Sequence, residues 1–589
     1  MEEVTDTKEF VLCFDGTGYK FRGDESDSNV LKIYRMLDRN DKSQLHYYQP
    51  GIGTNTRSVS QSNDAHANPI KRWYAKAKDA AFGSTFDDHV MAGYRYLMRF
   101  YSPGDGIYIF GFSRGAYVAR LLAEMLDHIG LLEAGNEGKV SYVWSVFSKW
   151  GARSNSRDVS QKEKDALFQY MKALRETFCR PISQIRFLGL FDTVNSIPHF
   201  EKFRNKFAFP YTTRTSAKVI RHAVSIDEHR AKFRQDLLAD TNPVSVSARA
   251  RSSDHQAQNV HSIHPQGIHL DQNSRIKGRR APMDESPRQE NSKENVFYRP
   301  TPCTHSQSMK TNGQPMGTKP QSVTPMQPMT ANSTIPASGS TVVPEQLPAS
   351  PRTPYDTASG KFEDATQDIE EVWFPGCHAD IGGGLELDKD EDWALSHVPL
   401  VWMIHEAQRA GLQFDSEKLK QFHCFDDSIA GDIQHCQRHR AAEQKVTRNE
   451  GETDERSEFE YALWRASTNG QIHDSLRFHH GDTWLSVLSW KMVEYLPFRR
   501  MILKSDQTWK PIRFPLPLGE RRDIPRDAAV HGSAIHRMEV NSTYRPKNMA
   551  PKGKGKGEIS GHQAEGWEMH AHHGCPVRET YRRTQPMRA

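Results

Sequence analysis

Short apolar, β-branched and aromatic runs alternate in this chain with stretches whose apolar residues recur every three to four positions. Phe10-Val11-Leu12-Cys13-Phe14 reads as a buried strand ended by Asp15-Gly16-Thr17-Gly18, and Leu45-His46-Tyr47-Tyr48 as a second, closed by Pro50-Gly51. From Asp87 to Tyr101 the residues Val90, Tyr94, Leu97, Met98 and Tyr101 recur at helical spacing, and Pro103-Gly104 stops that helix. Gly106 to Phe112 is a strand, followed at once by a helix from Arg114 to about His128 carrying Ala119, Leu122, Ala123 and Leu126. A further amphipathic helix covers about Lys162 to Phe178, Ile185–Phe191 is the next strand, and Ala217 to Val224 opens another element. Strands alternating with helices predict an α/β fold, a mostly parallel sheet with helices on both faces.

Near Pro243 this pattern stops. Residues 243–364 are rich in Ser, Pro, Gln, Asn, Thr and Met with almost no aromatics, so they bury too little apolar surface to offset their ordering entropy and read as a disordered insertion. Order resumes at Ile369-Glu370-Glu371-Val372-Trp373-Phe374, and a helix with Val401, Ile404, His405 and Gln408 follows Trp393-Ala394-Leu395. A charged loop spans about Ala441 to Ser457, after which Trp484, Leu488, Trp490, Met492, Leu496, Phe498 and Trp509 are expected to supply core or groove-lining surface. Residues 551–589, opening on Lys552-Gly553-Lys554-Gly555-Lys556-Gly557, read as a disordered basic tail. Residues 1–242 and 365–550 are thus expected to form two parts of one folded domain.

Composition narrows the class. A mean hydropathy of −0.73 over 589 residues fits a folded core diluted by polar segments. The formal net charge is only +5, which does not point to nucleic acid. Seven scattered cysteines without a Cys-x-x-Cys pair favour a reducing compartment. Met1-Glu2-Glu3-Val4-Thr5-Asp6 shows no apolar signal region, and no run approaches the roughly 20 apolar residues of a spanning helix. The expectation is a cytoplasmic protein, at most in peripheral contact with a membrane. Cys424, His435, Cys436 and His439 match no standard zinc spacing, so neither metal nor cofactor is expected.

The chemistry is carried by Gly111-Phe112-Ser113-Arg114-Gly115. Gly-x-Ser-x-Gly between a buried strand and a helix is the context of a nucleophile elbow, which presents a serine hydroxyl to a base and an oxyanion hole. A nucleotide-binding glycine loop is the alternative, but neither Gly-x-Gly-x-x-Gly nor Gly-Lys-Ser/Thr is present. Asp192 follows the Ile185–Phe191 strand, and His378 follows the Val372–Phe374 strand in Pro375-Gly376-Cys377-His378-Ala379-Asp380. Ser113, Asp192 and His378 then fall in the order Ser, acid, His, each at a strand end. Asp380 and Asp227 are alternative acids, with turn capping as their plainer role. Oxyanion donors are expected from the backbone N–H of Arg114 and of Gly16 or Thr17.

These residues resemble a known family. Pro103-Gly104-Asp105 before Gly111–Tyr117, Cys13–Thr17, Gly189–Val194, His222–Arg230, Phe374–Gly384, Trp393–Ser396 and Tyr495–Pro497 match, in order, the hydrolase domain shared with the catalytic domain of type VI secretion phospholipase effectors. The fungal branch is most similar, over roughly residues 8–240 and 365–550. The resemblance implies an α/β-hydrolase fold and a Ser113–Asp192–His378 triad. It implies a serine ester hydrolase whose substrate is a phospholipid or another acyl ester. Other readings are a catalytically silent interaction protein of the same fold, or an acyltransferase or peptidase using the same three residues.

Overall fold

The computed structural model describes residues 7–19, 21–52, 84–154, 159–182, 185–194, 217–238, 367–387, 391–425, 458–478, 483–498, 500–549 and 566–584. The expected insertion at 243–364, the charged loop 441–457, and His435, Cys436 and His439 lie outside them. In chain order the first half holds β1 (Glu9–Phe14), α1 (Asn29–Met36), β2 (Gln44–Gln49), α2 (Ser84–Phe100), β3 (Gly106–Phe112) and α3 (Arg114–Ile129). Next come β4 (Leu131–Leu132), α4 (Val140–Ser154), α5 (Gln161–Phe178), β5 (Cys179–Arg180), β6 (Phe187–Phe191) and β7 (Val219–Ser225). The later part holds β8 (Asp368–Phe374), α6 (His378–Gly382), α7 (His397–Arg409), α8 (Ser416–Gln421), α9 (Glu458–Asn469) and α10 (Trp484–Val493). It ends with β9 (Arg500–Leu503), β10 (Trp509–Ile512), β11 (Ala529–His531), α11 (Gly532–Val540), β12 (Trp567–Ala571) and β13 (Thr580–Arg583).

Among the described residues one sheet runs in the order β12-β13-β11-β8-β7-β6-β3-β1-β2. From β2 to β11 every pairing is parallel, and β13 and β12 are added antiparallel. The expected α/β architecture is therefore present, as a mostly parallel sheet covered on both faces. Alternation along β1 explains the covering: Phe10, Leu12 and Phe14 pack into one core with residues of α2 to α5, while Val11 and Cys13 join the other core with α1, α7, α8 and α9. A third cluster joins Trp373 and Val530 to Ala534, Ile535 and Met538 of α11.

Two sequence expectations shift here. Of the segment 551–589, read as a disordered tail, residues 566–584 carry β12 and β13 at the end of the main sheet. Backbone pairing of β13 with β11 and β12 holds these short strands, with Trp567 and Tyr581 packed partly buried against the third cluster, so composition gave little sign of them. Trp484, Leu488, Met492 and Leu496, expected to line core or groove, are exposed. No helix among the described residues is long and apolar enough to cross a membrane.

Candidate active site

The buried strand β3 delivers Ser113 into a turn with φ 58° and ψ −121°, a left-handed conformation that a side chain adopts only when its surroundings enforce it. Ser113 N–H donates to Phe191 O across to β6 (2.9 Å), and Tyr117 N–H returns to Ser113 O (3.3 Å) as α3 begins. Close crossing of α3 over the sheet demands the flanking glycines. A Cβ at Gly115 would stand 2.3 Å from Phe14 O, and one at Gly111 2.5 Å from Ala116 Cα.

The parallel register brings the other strand ends level with Ser113. Phe112 lies opposite Phe191, Phe191 opposite Ala223, and Ser225 opposite Phe374. Asp192, one residue past β6, and His378, four past β8, therefore emerge on the same sheet edge. His378 Nε2 is 2.8 Å from Ser113 Oγ, and His378 Nδ1 is 2.5 Å from Asp192 Oδ2. All three side chains are buried. An ionised carboxylate only accepts, so Nδ1 carries the hydrogen and Nε2 is left to accept from the Ser113 hydroxyl.

Asp192 is also clamped by Arg522, whose NH1 and NH2 donate to Oδ1 (2.5 Å) and Oδ2 (2.9 Å), while Ser225 N–H donates to Oδ1 (3.0 Å). Burial alone pushes the Asp192 carboxyl up, but the Arg522 charge and the His378 hydrogen bond hold it well below the usual carboxylate range. Burial lowers the His378 pKa, and Asp192 only partly restores it, so the imidazole is neutral near pH 7. Nothing local in the sequence marked Arg522. It lies 330 residues from Asp192 and in no periodic segment.

A bed of polar groups fixes the His378 turn. Gly376 O accepts from Ser225 Oγ (2.7 Å), and His378 N–H donates to Glu228 Oε2 (3.2 Å). Burial works against the Glu228 charge, yet Arg230, bonded to it through Nε and NH2, brings its pKa down to about 2. The His378 ring packs against Phe112 (4.9 Å between centroids) and Phe233 (4.8 Å). Arg230 and Glu228 fell in a matched sequence block without being singled out; their charges become meaningful only beneath the His378 turn.

The two alternative acids are engaged elsewhere. Asp380 accepts from Cys377 N–H (2.8 Å) and His473 N–H (3.0 Å) and faces His473 Nδ1 (2.7 Å), capping α6. Asp227 accepts from Gly376 N–H (2.9 Å) and Tyr544 OH (2.8 Å). Among the oxyanion candidates, Arg114 N–H opens α3 directly after Ser113. Gly16 N–H donates to Asp15 Oδ1 (2.7 Å), which leaves Thr17 as the candidate from that loop. Among the described residues no cluster of His, Cys, Asp and Glu is arranged to hold a metal ion.

The model of the T6SS phospholipase effector Tle1-like catalytic domain matches residues 8–406. The chain belongs to this family. It thus carries a Tle1-like catalytic domain of phospholipase type, within whose span Ser113, Asp192 and His378 fall, whereas Arg522 lies beyond it. It is similar to the uncharacterized protein YEL023C of Saccharomyces cerevisiae, 28% identical over 623 residues, covering 92% of this chain and 80% of the yeast protein. Two solved structures are also similar. One is the Tle1 effector bound to the VgrG spike from the type 6 secretion system (16% identity, 39% of this chain and 47% of that chain, TM-score 0.20). The other is an uncharacterized protein from Pseudomonas aeruginosa (14% identity, 83% of this chain and 62% of that chain, TM-score 0.30). The chain spans less than two thirds of either, and at these TM-scores neither likeness bears on the fold.

Proposed function

We propose that this Tle1-like domain is a serine ester hydrolase acting on phospholipids or other acyl esters, with Ser113 as nucleophile, His378 as base and Asp192 as the acid that orients it. The observation that carries the reading is the unbroken hydrogen-bond relay from Ser113 Oγ through His378 to Asp192. In acylation, Ser113 Oγ bonds to the ester carbonyl carbon as its proton passes to His378 Nε2. The carbonyl oxygen takes up the charge and faces the N–H groups of Arg114 and Thr17. The C–O bond to the alcohol then breaks, and His378 returns the proton to that leaving oxygen. Water repeats the sequence: it gives one proton to His378, its oxygen bonds to the acyl carbon, and Ser113 leaves with the proton restored. The carboxylic acid departs. Asp192 stays ionised throughout and stabilises the imidazolium.

Family membership supports the phospholipid half of the reading, since the matched model describes phospholipase effectors. The test is a panel of acyl esters, including phospholipids and lysophospholipids, with parent and Ser113→Ala proteins, backed by fluorophosphonate labelling. The expected result is labelling at Ser113 and a loss of several orders of magnitude in rate on Ser113→Ala. Equal hydrolysis by both proteins would remove Ser113 from the mechanism.

A further inference from the structure

Helix α10 exposes what a water-facing helix ordinarily hides. Trp484 is 64% exposed, Leu488 45% and Met492 68%, at i, i+4 and i+8 on one stripe, and Val487 is the helix's only buried residue. Tyr495 and Leu496 continue the stripe. Leu518 N–H meets Glu494 O at 3.5 Å, placing the exposed Leu518 at the C-terminal end of α10. Arg513 NH1 donates to Pro497 O (3.3 Å), which brings exposed Phe514 beside the same end. Contiguous apolar surface of this extent marks an interaction site.

We propose that this stripe docks the protein on the surface of an anionic phospholipid bilayer. Charge selects the occupant. Lys491 Nζ sits 4.4 Å over the Phe478 ring, and Lys504, Lys510 and Arg513 are exposed on the hairpin between α10 and Phe514. Glu494, the acid of this helix end, is buried and accepts from the N–H groups of Ala231 and Gly519. Asp506 is the exposed acid of the hairpin, occupied by Thr508. Aromatic and aliphatic side chains rimmed by cations are the chemistry of an interfacial helix on anionic lipid. Position agrees with charge: from the inner side of α10, Trp490 packs edge-on against Phe233 (5.4 Å), which packs on His378 (4.8 Å). A bilayer on the stripe would therefore lie two ring contacts from the imidazole. α10 lies outside residues 8–406 that the family model covers. The proposal rests on the phospholipid reading only for its purpose, not for its test.

That test is co-sedimentation of the full chain, in the Ser113→Ala background, with vesicles of phosphatidylcholine or phosphatidylcholine plus phosphatidylserine. The parent should bind, and bind more on phosphatidylserine. Trp484→Ser/Leu488→Ser/Met492→Ser should lose about tenfold or more of that binding, while Lys504→Gln/Lys510→Gln/Arg513→Gln should lose only the phosphatidylserine preference. With Ser113 restored, both variants should hydrolyse a soluble short-chain ester at the parental rate, which shows that they fold. No vesicle binding by the parent, or equal binding by the apolar variant, overturns the proposal. So does a dimer of the parent that the apolar variant abolishes with vesicle binding unchanged, because a second copy would then occupy the stripe. Failure of the serine reading shows separately, as ester hydrolysis indifferent to Ser113.

Discussion

Asp192→Asn is the most exposing single change at this site, because the structure assigns each atom of the replacement. The Oδ1 position receives Ser225 N–H and Arg522 NH1, so the amide oxygen goes there. The NH2 group then faces His378 Nδ1 and Arg522 NH2, both of which donate now. Against Arg522 this is donor against donor. Against His378 it forces the other tautomer, with the proton on Nε2, which can no longer accept from Ser113 Oγ. In a triad of this geometry the wrong tautomer lowers kcat by about 10⁴-fold, or ~5 kcal/mol of transition-state stabilisation. A second loss arises in folding: buried Arg522 keeps its bonds to the amide oxygen, Ser225 O and Phe233 O but loses its carboxylate counter-charge, at ~3–5 kcal/mol. The assay is kcat/KM on a soluble ester together with urea denaturation. Asp192→Asn/Arg522→Met should recover much of the stability and none of the rate, which separates the two effects. Asp380→Asn, whose amide oxygen can still accept from Cys377 N–H, should stay within about tenfold of the parental rate. Parental activity in Asp192→Asn with collapse in Asp380→Asn would refute the assignment and move the acid to Asp380.

Four further outcomes are expected. Because the His378 pKa lies below the 6.5 of free imidazole, kcat/KM should rise with pH along an acid limb centred below 6.5; a limb centred above it contradicts a neutral buried base. The same shifts set stability: His378 is neutral in the fold and titrates higher when unfolded, so stability should fall as pH drops below about 6.5, and again below about 4 as Asp192 loses its ion pair, both read by thermal melts at stepped pH. Gly115→Ala puts a methyl 2.3 Å from Phe14 O and 2.5 Å from Asp15 O, both backbone, and should cost ~3 kcal/mol or more in urea denaturation; a cost below about 0.5 kcal/mol would show that α3 is free to shift. Ser113→Gly should abolish hydrolysis yet leave stability equal to or about 1 kcal/mol above the parent, since glycine accepts φ 58° without strain; a destabilised Ser113→Gly would mean the His378 hydrogen bond outweighs that strain.

The sheet was legible because its strands are buried on both faces and read as continuous apolar runs. Phe10–Phe14, Gly106–Phe112 and Val372–Phe374 could hardly be anything else. Strand ends then gave Ser113, Asp192 and His378 as candidates, because a parallel sheet gathers its C-terminal ends on one edge. Elements fixed by neighbours rather than by their own pattern were harder to read. Helix α1, with a Ser28 cap and Val30, Ile33 and Met36 on one face, is short at eight residues, and β12 and β13 are held mainly by edge pairing. Arg522 and Glu228 act through partners 330 and 150 residues away, a separation over which no periodicity operates. The stripe on α10 misled for the opposite reason: its hydrophobicity announced burial, but its surroundings leave it exposed.

Three buried carboxylates near the sheet edge show why an arginine stands behind Asp192. Asp15 accepts from Tyr48 OH, Ser28 Oγ and Gly16 N–H, yet burial still drives its pKa up to about 6. Asp227 accepts from Gly376 N–H and Tyr544 OH, with Arg521 at 3.3 Å through one nitrogen, and burial still raises it. Asp192 has one backbone donor and the His378 ring, fewer neutral donors than Asp15, and yet it alone of the three is held below the ordinary range. The largest lowering influence is the two-nitrogen Arg522 clamp, to which the His378 contact adds. Neutral hydrogen bonds do not offset burial here, whereas a paired guanidinium does. An Asp192 left like Asp15 would be partly protonated near neutrality. It would then donate to His378 instead of accepting, and the imidazole tautomer that Ser113 needs would be lost. In the proposed mechanism Arg522, carried by a segment beyond the family-matched residues, would therefore be the group that keeps the relay pointed toward Ser113.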